Sequence, residues 1–394
     1  MKFEFSTARR IVFGEGVAEQ IPGLTAGYGK RAFLVAGGKA DRLAALLDAI
    51  TSRGVALTVF NIAGEPTVEM AQSAVIAARG AKADVVVAIG GGSVLDVGKV
   101  AAAMLRNEGE LSDYLEVVGK GKPLREAATP LLTVPTTAGT GAEVTYNSVL
   151  GVPDQQVKVS IRSPLMLARQ AIVDPLLTHS MPPELTASTG LDALTQLIEA
   201  FVSNKANPMT DGVCREGLQR AARSLRRAFE DGSNAQARED MSLASLFSGI
   251  ALANAKLGAV HGFAGPLGGM TSAPHGVICG RLLPFVMQAN VQALRNRIAD
   301  VGENLDPEAA SVLARFDEIG RILTGKNTAD ASDGVVWVGE LCLALGLPGL
   351  RRHGLSTVDF PIVIERARKA SSMQGNPVKL SDDELAAILT RAID

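Results

Sequence analysis

Val85-Val86-Val87-Ala88-Ile89-Gly90-Gly91-Gly92-Ser93-Val94-Leu95-Asp96-Val97-Gly98-Lys99 is the stretch whose reading decides the fold. An apolar run feeds three glycines, and a serine then opens a helical pattern. That order places bare backbone N–H groups at a helix N-terminus, where an anionic group can approach without meeting a side chain. A phosphate or pyrophosphate is the natural guest. The strict G-x-G-x-x-G fingerprint is absent, so this is not an ordinary Rossmann signature. Ser93 and Asp96 also read as an S-x-x-D capping box, a role compatible with anion binding. Lys99 reads equally as a solvated surface lysine or a functional one.

Working outward, Arg31–Ala36 and Val55–Phe60 read as further buried strands, and Pro130–Pro135 as a later one. Helical patterns separate them: Asp41 to about Ser52, the segment after Gly64-Glu65-Pro66-Thr67 to about Arg79, and Ser93 to about Arg106. Short apolar runs alternating with helices predict a doubly wound, mostly parallel α/β sheet. From about Pro182 the texture changes. Leu218–Phe229, Asp240–Lys256, Glu308–Gly325 and Asp382–Ile393 carry apolar residues at helical spacing, and strand signals nearly vanish. Asp174-Pro175 and Pro182-Pro183 interrupt the periodicity. The expectation is an α/β domain over residues 1–178 and an all-α domain over residues 179–394, with ligands in the cleft between them.

The 394 residues leave ample room for two cores, and with 47% hydrophobic but only 4% aromatic residues those cores are built from Ala, Val, Leu and Ile. A net charge of −2 gives no electrostatic argument for nucleic acid or an anionic membrane. Cys214, Cys279 and Cys342 are odd in number and widely spaced, so neither a disulfide framework nor a CxxC zinc site is expected. No signal-peptide core and no uncharged apolar run of about 18 residues is seen. A soluble, cytoplasmic protein with reduced thiols is the expectation.

Two further segments carry chemistry. Val134-Pro135-Thr136-Thr137-Ala138-Gly139-Thr140-Gly141-Ala142-Glu143 follows a strand and sets hydroxyls beside glycines. It can contact a phosphate, ribose or amide, and by itself also reads as a Thr/Gly-rich turn. Of four histidines, His261 and His275 share one Gly-rich segment. Upstream, Asp192 and Gln196 stand i, i+4 on one helical face. One carboxylate and two imidazoles make a divalent-metal site with open positions, suited to Fe(II) or Zn(II), and Gln196 could add a weak carbonyl ligand. The same residues also read as an early-helix acid and hydrogen-bonded structural histidines. Glu199 reads as an outer partner of the site or a plain helix residue; His179 and His353 read as structural or surface residues.

With these pieces in order, the chain resembles the iron-containing, group III alcohol dehydrogenases. The likeness runs through Ile11-Val12-Phe13-Gly14, Asp84 to Lys99, Val134 to Thr145, Asp174-Pro175, Asp192 to Ser203 and His261 to His275. The resemblance implies a dehydroquinate-synthase-like fold, an N-terminal dinucleotide-binding domain and a C-terminal helical domain for metal and substrate. It puts Gly90, Gly91, Gly92 and Ser93 on the pyrophosphate loop, with Asp96, Thr136, Thr137, Thr140 and Lys158 around the coenzyme. Asp192, Gln196, His261 and His275 fall on the four metal-ligand positions, of which Asp192, His261 and His275 are the expected catalytic residues.

Three features depart from or qualify the pattern. The family usually has histidine where this chain has Gln196. It often has a histidine near the substrate where this chain has Gly265, which removes a proton relay through that side chain. Gly37, in Val35-Ala36-Gly37-Gly38-Lys39, offers no carboxylate to repel a 2′-phosphate, and Lys39 could bind one, so NADP is as acceptable as NAD.

The implied activity is metal-dependent, NAD(P)-linked hydride transfer between a small alcohol and its aldehyde or ketone, in a homodimer carrying Fe2+ or Zn2+. The alternatives are a maleylacetate-reductase-like enzyme with little need of metal and a catalytically silent binding protein on the same fold.

Overall fold

The structure, a computed structural model, describes residues 2–38, 43–300 and 306–394. Lys39 and the Asp41 start expected for a helix lie outside the described residues. The chain divides into two compact units, Ser6–Ser180 and Met181–Asp394, the second including the N-terminal residues through Phe5.

In the first unit a six-stranded sheet contains β1 (Ile11–Phe13), β2 (Arg31–Gly37), β3 (Ala56–Ile62), β4 (Val85–Gly90) and β5 (Leu131–Pro135). A hairpin of β6 (Asn147–Val152) and β7 (Val157–Arg162) stands as a separate two-stranded sheet, and β8 (Gln170–Val173) completes the main one. The order is β1-β8-β5-β4-β2-β3, and every pairing in the main sheet is parallel. All six residues of β4 are buried, as a strand covered on both faces requires. Leu34, Ala36, Val87, Ile89, Leu132 and Val134 share one apolar cluster, with alternate residues on the other face.

Crossover helices α1 (Ile21–Tyr28), α2 (Ala44–Thr51), α3 (Val68–Gly80) and α4 (Gly92–Met104) connect the strands. From β2 the chain moves outward to β3, then returns to place β4 on the opposite side of β2. This reversal between β2 and β4 is the topological switch point where open α/β sheets bind ligands, beyond the carboxyl ends of the strands. Ala36 pairs with Ile89, so Gly37 and the Gly90–Gly92 run leave the sheet together at that point.

The second unit is helical, and among its described residues there is no strand. It comprises α5 (Pro183–Val202), α6 (Pro208–Glu230), α7 (Ala235–Asn254), α8 (Ala259–Met270), α9 (His275–Asp300), α10 (Pro307–Thr324), α11 (Ala331–Ala344), α12 (Phe360–Lys369) and α13 (Asp382–Ala392). Helix α5 packs against α6, α7 and α9 and is buried nearly all round from Thr186 onward. By length and composition α9 is apolar enough over His275–Ala299 to cross a bilayer, but 67% of its most apolar window is buried in this bundle. It is a core helix of the unit.

Tight contact between α4 and β4 depends on Gly98, where a β-carbon would lie 2.5 Å from the Ala88 Cβ. Gly98→Ala must therefore push the helix off the sheet. The expected cost is about 1–3 kcal/mol, read as a lower urea midpoint with an unchanged slope; a wild-type midpoint would contradict this packing.

Candidate metal centre and cofactor loop

The metal candidates converge because two helices lie almost backbone to backbone. On α9, a β-carbon at Gly276 would fall 2.0 Å from the Ser188 carbonyl oxygen of α5, and one at Gly280 would fall 2.7 Å from Leu191 Cδ1. Only glycine permits that approach. The residue preceding each of these glycines, His275 and Cys279, is thereby brought to Asp192. The Asp192 Oδ1 atom is 3.6 Å from His275 Nε2 and 3.3 Å from His261 Nε2. The Cys279 Sγ is 3.7 Å from His275 Nε2 and 3.8 Å from His261 Nε2. The donor atoms of Asp192, His261, His275 and Cys279 all lie within 4.8 Å of one another.

His261 comes from the first turn of α8. The Glu199 carboxylate of α5 sits at that helix N-terminus, accepting from the Val260 N–H at 2.7 Å and the His261 N–H at 3.4 Å. A negative charge there is favoured by the helix dipole. The same carboxylate meets His261 Nδ1 at 2.7 Å, leaving Nε2 to face Asp192. Carboxylate on one ring nitrogen and ligand position on the other is the usual way a metal-binding imidazole is oriented. Of its two sequence readings, Glu199 is thus placed as an outer partner of His261 and not as a plain helix residue.

The electrostatics are those of a buried, mutually compensating cluster. Burial pushes the Asp192 carboxyl up, but His275 and His261 hold it below its ordinary value. Burial also opposes charge on His261; Cys279, Asp192 and Glu199 overcome it and hold its pKa well above 6.5. The same balance raises His275, and the two imidazoles draw the Cys279 thiol below its usual range despite burial. Positive charge is in demand at this point, and a divalent ion meets that demand.

Gln196 faces the cluster differently from the expected ligand. Its Nε2 donates to Asp192 Oδ2 at 3.2 Å, while its Oε1 is buried with no hydrogen-bond partner. An orphaned buried carbonyl oxygen beside a carboxylate and two imidazoles fits a cation nearby. Cys279 was missed in the sequence because the cysteines were weighed only against one another; its i, i+4 spacing from His275 was the available signal. Gly265 lies on α8, where a β-carbon would meet nothing within 4 Å. His179 and His353 are outside this cluster, each with a buried, unpartnered Nε2.

In the first unit the two candidate loops meet. The Thr136 N–H donates to the Gly90 carbonyl at 3.0 Å. A β-carbon at Gly91 would sit 3.4 Å from the Thr137 side chain, and one at Gly92 would sit 2.9 Å from Thr140 Oγ1. Gly37 and Gly90 both crowd Val94 in the same way. The capping-box reading is corrected: the cap of α4 is Gly91, without a side-chain bond, and Ser93 lies inside the helix. The first-turn N–H groups consequently keep no side-chain acceptor, as an anion cradle requires.

Asp96 is engaged elsewhere, its Oδ2 accepting from the Val149 N–H at 2.9 Å. Lys99 is buried, which overturns its reading as a surface lysine. Its ammonium reaches Asp96 Oδ1 at 3.1 Å, Thr145 Oγ1 at 2.8 Å and the Asn147 carbonyl at 2.7 Å. Asp96 and Lys99 together tie α4 to β6. Lys158 on β7 pairs with Glu65 at 2.7 Å.

The two halves of the chain each match a known family. Residues 8–175 match the iron-containing alcohol dehydrogenases, and residues 186–393 match the C-terminal part of the Fe-containing alcohol dehydrogenase family. The chain is 39% identical over 316 residues to the 1,3-propanediol dehydrogenase of Klebsiella pneumoniae, spanning 80% of this chain and 77% of that protein. Its fold is similar to the crystal structure of a 1,3-propanediol oxidoreductase, with TM-score 0.88 and 32% identity over 100% of both chains. It is also similar to the sulfoacetaldehyde reductase of Bifidobacterium kashiwanohense, solved in complex with NAD+, with TM-score 0.84 and 28% identity over 100% of this chain and 99% of that one. The chain belongs to the iron-containing alcohol dehydrogenase family. It is an oxidoreductase that acts on CH–OH groups.

Two outcomes follow from this geometry. Glu199→Ala frees the His261 ring, and metal affinity, measured by chelator competition, is expected to fall about 10–100-fold; unchanged affinity would contradict the orienting role. Glu143, on the threonine loop, is 2% exposed, and burial pushes its carboxyl up to about 7 despite nearby Lys99. The native state therefore holds this proton more tightly than the unfolded chain. The linked stability is complete below about 4.5 and is lost as pH rises to about 7. Glu143→Gln should gain up to about 3 kcal/mol relative to wild type between about pH 5 and about pH 8; urea unfolding curves that stay parallel across that range would refute it.

Proposed function

We propose that this protein is a metal-dependent, NAD(P)-linked alcohol dehydrogenase and aldehyde reductase for a small alcohol or carbonyl substrate. The observation that carries the reading is the convergence of Asp192, His261 and His275, distant in sequence, within one buried donor cluster. Asp192, His261 and His275, with Gln196 beside them, would hold a divalent ion, Fe2+ or Zn2+. Gly37, Gly90, Gly91, Gly92, Ser93, Thr136, Thr137 and Thr140 would bind the coenzyme, with Asp96 and Lys158 in the same region. In this reading residues 1–178 are the dinucleotide-binding domain and residues 179–394 the metal- and substrate-binding domain.

When bound, the ion supplies Lewis acidity toward a hydroxyl or carbonyl oxygen, and the nicotinamide takes or gives the hydride. The chain's own residues do the positioning. Asp192 neutralises charge from its buried position, and Glu199 fixes the orientation of His261. The uncapped first turn of α4 and the glycines around it cradle the pyrophosphate. Residue 265 has no side chain to carry a proton, so no relay runs through that position, and water takes its place. Gly37 and Gly38 admit either NAD or NADP. A cytoplasmic homodimer is the proposed state.

Protein purified without oxygen should contain metal and turn over small alcohols or aldehydes with one or both nicotinamide coenzymes. Asp192→Ala should lose the metal and at least about 10³-fold in kcat/KM. An Asp192→Ala protein with full activity would refute the placement of the site.

A further inference from the structure

We infer that Cys279 is the fourth protein ligand of the metal, binding through its sulfur, and that Gln196 instead positions the Asp192 carboxylate. This rests on the metal-site reading above and assigns a donor to it. In tetrahedral coordination, metal–nitrogen and metal–oxygen bonds of about 2.0–2.1 Å and a metal–sulfur bond of about 2.3 Å set donor atoms about 3.3–3.6 Å apart. The observed separations are 3.3 Å and 3.6 Å from Asp192 Oδ1 to the two imidazoles, and 3.7 Å and 3.8 Å from Cys279 Sγ to the same nitrogens. Four of the six donor pairs thus already stand within a few tenths of an ångström of the separations a bound metal needs.

Their origin supports the assignment. His275 and Cys279 are one turn apart on α9, and the Gly276 and Gly280 contacts with α5 hold that turn against Asp192. Asp192 presents Oδ1 to both imidazoles, while its Oδ2 is occupied by the Gln196 amide N–H at 3.2 Å. That bond orients the carboxylate and makes Gln196 a positioning residue. The other two cysteines offer a contrast: burial pushes the Cys342 thiol up to about 12 and the Cys214 thiol far up, as expected of inert core thiols. Neither has imidazole neighbours like those of Cys279.

A set of one thiolate, two imidazoles and one carboxylate favours Zn(II) over Fe(II), because thiolate is the softer donor. Ligation breaks the Cys279 S–H bond, the electron pair forms the sulfur–metal bond, and the proton leaves to solvent; no oxidant or reductant is needed. With these four side chains as donors, a bound Zn(II) would still supply Lewis acidity toward a substrate oxygen, since zinc sites tolerate a further donor.

The test is X-ray absorption at the zinc edge on the full-length protein loaded with Zn(II). One sulfur at about 2.3 Å, with nitrogen and oxygen at about 2.0–2.1 Å, is expected in wild type and in Gln196→Ala. The sulfur should vanish in Cys279→Ser, whose Zn(II) affinity should fall by more than about 100-fold, beyond the loss an outer partner gives. Co(II)-loaded wild type supplies a reading that needs no variant, an intense thiolate-to-metal charge-transfer absorption. Bound Zn(II) with only nitrogen and oxygen neighbours would overturn the thiolate ligand and leave the metal site standing. Zn(II) bound by Asp192→Ala as tightly as by wild type would overturn the site itself.

Discussion

A buried carboxylate is costly unless opposite charge surrounds it, and the helical unit is arranged around that constraint at Asp192. The side chain is 3% exposed. Its neighbours are two imidazoles, a thiol and an amide, drawn from three helices. Each is placed by a contact with a clear physical cause. The glycine pair on α9 removes the bulk that would hold it away from α5. The Glu199 carboxylate anchors the N-terminus of α8 and thereby aims His261. Without these approaches the carboxylate would be buried with no opposite charge beside it.

The α/β unit answers a different demand with the same device. An anion needs several N–H groups presented at once, and a helix start presents them only when no side chain takes their place. Gly91 caps α4 without a side-chain bond, and the threonine loop closes against Gly91 and Gly92. Lys99 and Asp96 lie below this surface, binding α4 to β6. Their charges stiffen the platform, whereas the bare backbone faces the switch point of the sheet.

Gln196 and Cys279 show how a donor set is shared between an inner and an outer role. An amide oxygen is a poor ligand next to a thiolate, and the amide nitrogen has a ready acceptor in Asp192. The sulfur faces both imidazole Nε2 atoms, at 3.7 Å and 3.8 Å. The helix that supplies His275 supplies the sulfur one turn later at no further cost in chain ordering.

Much of this molecule was legible in its residues. The Val85–Ile89 run, the glycines and the alternation of strands with helices required a parallel α/β unit, because only a doubly covered strand is apolar on both faces. The Asp192, His261 and His275 candidates were readable from residue type. The hairpin of β6 and β7 was missed, although Val157-Lys158-Val159-Ser160-Ile161-Arg162 alternates apolar and polar residues as a half-buried strand does. Ser93 matched a cap that Gly91 in fact supplies, and Lys99 gave no sign that it is buried. Cys279 entered the metal cluster only once α5, α8 and α9 came together, and the same packing decided between the two readings of Glu199. Local sequence specifies which elements form and what chemistry they carry; which side chains share one buried space depends on backbone approaches between helices far apart along the chain.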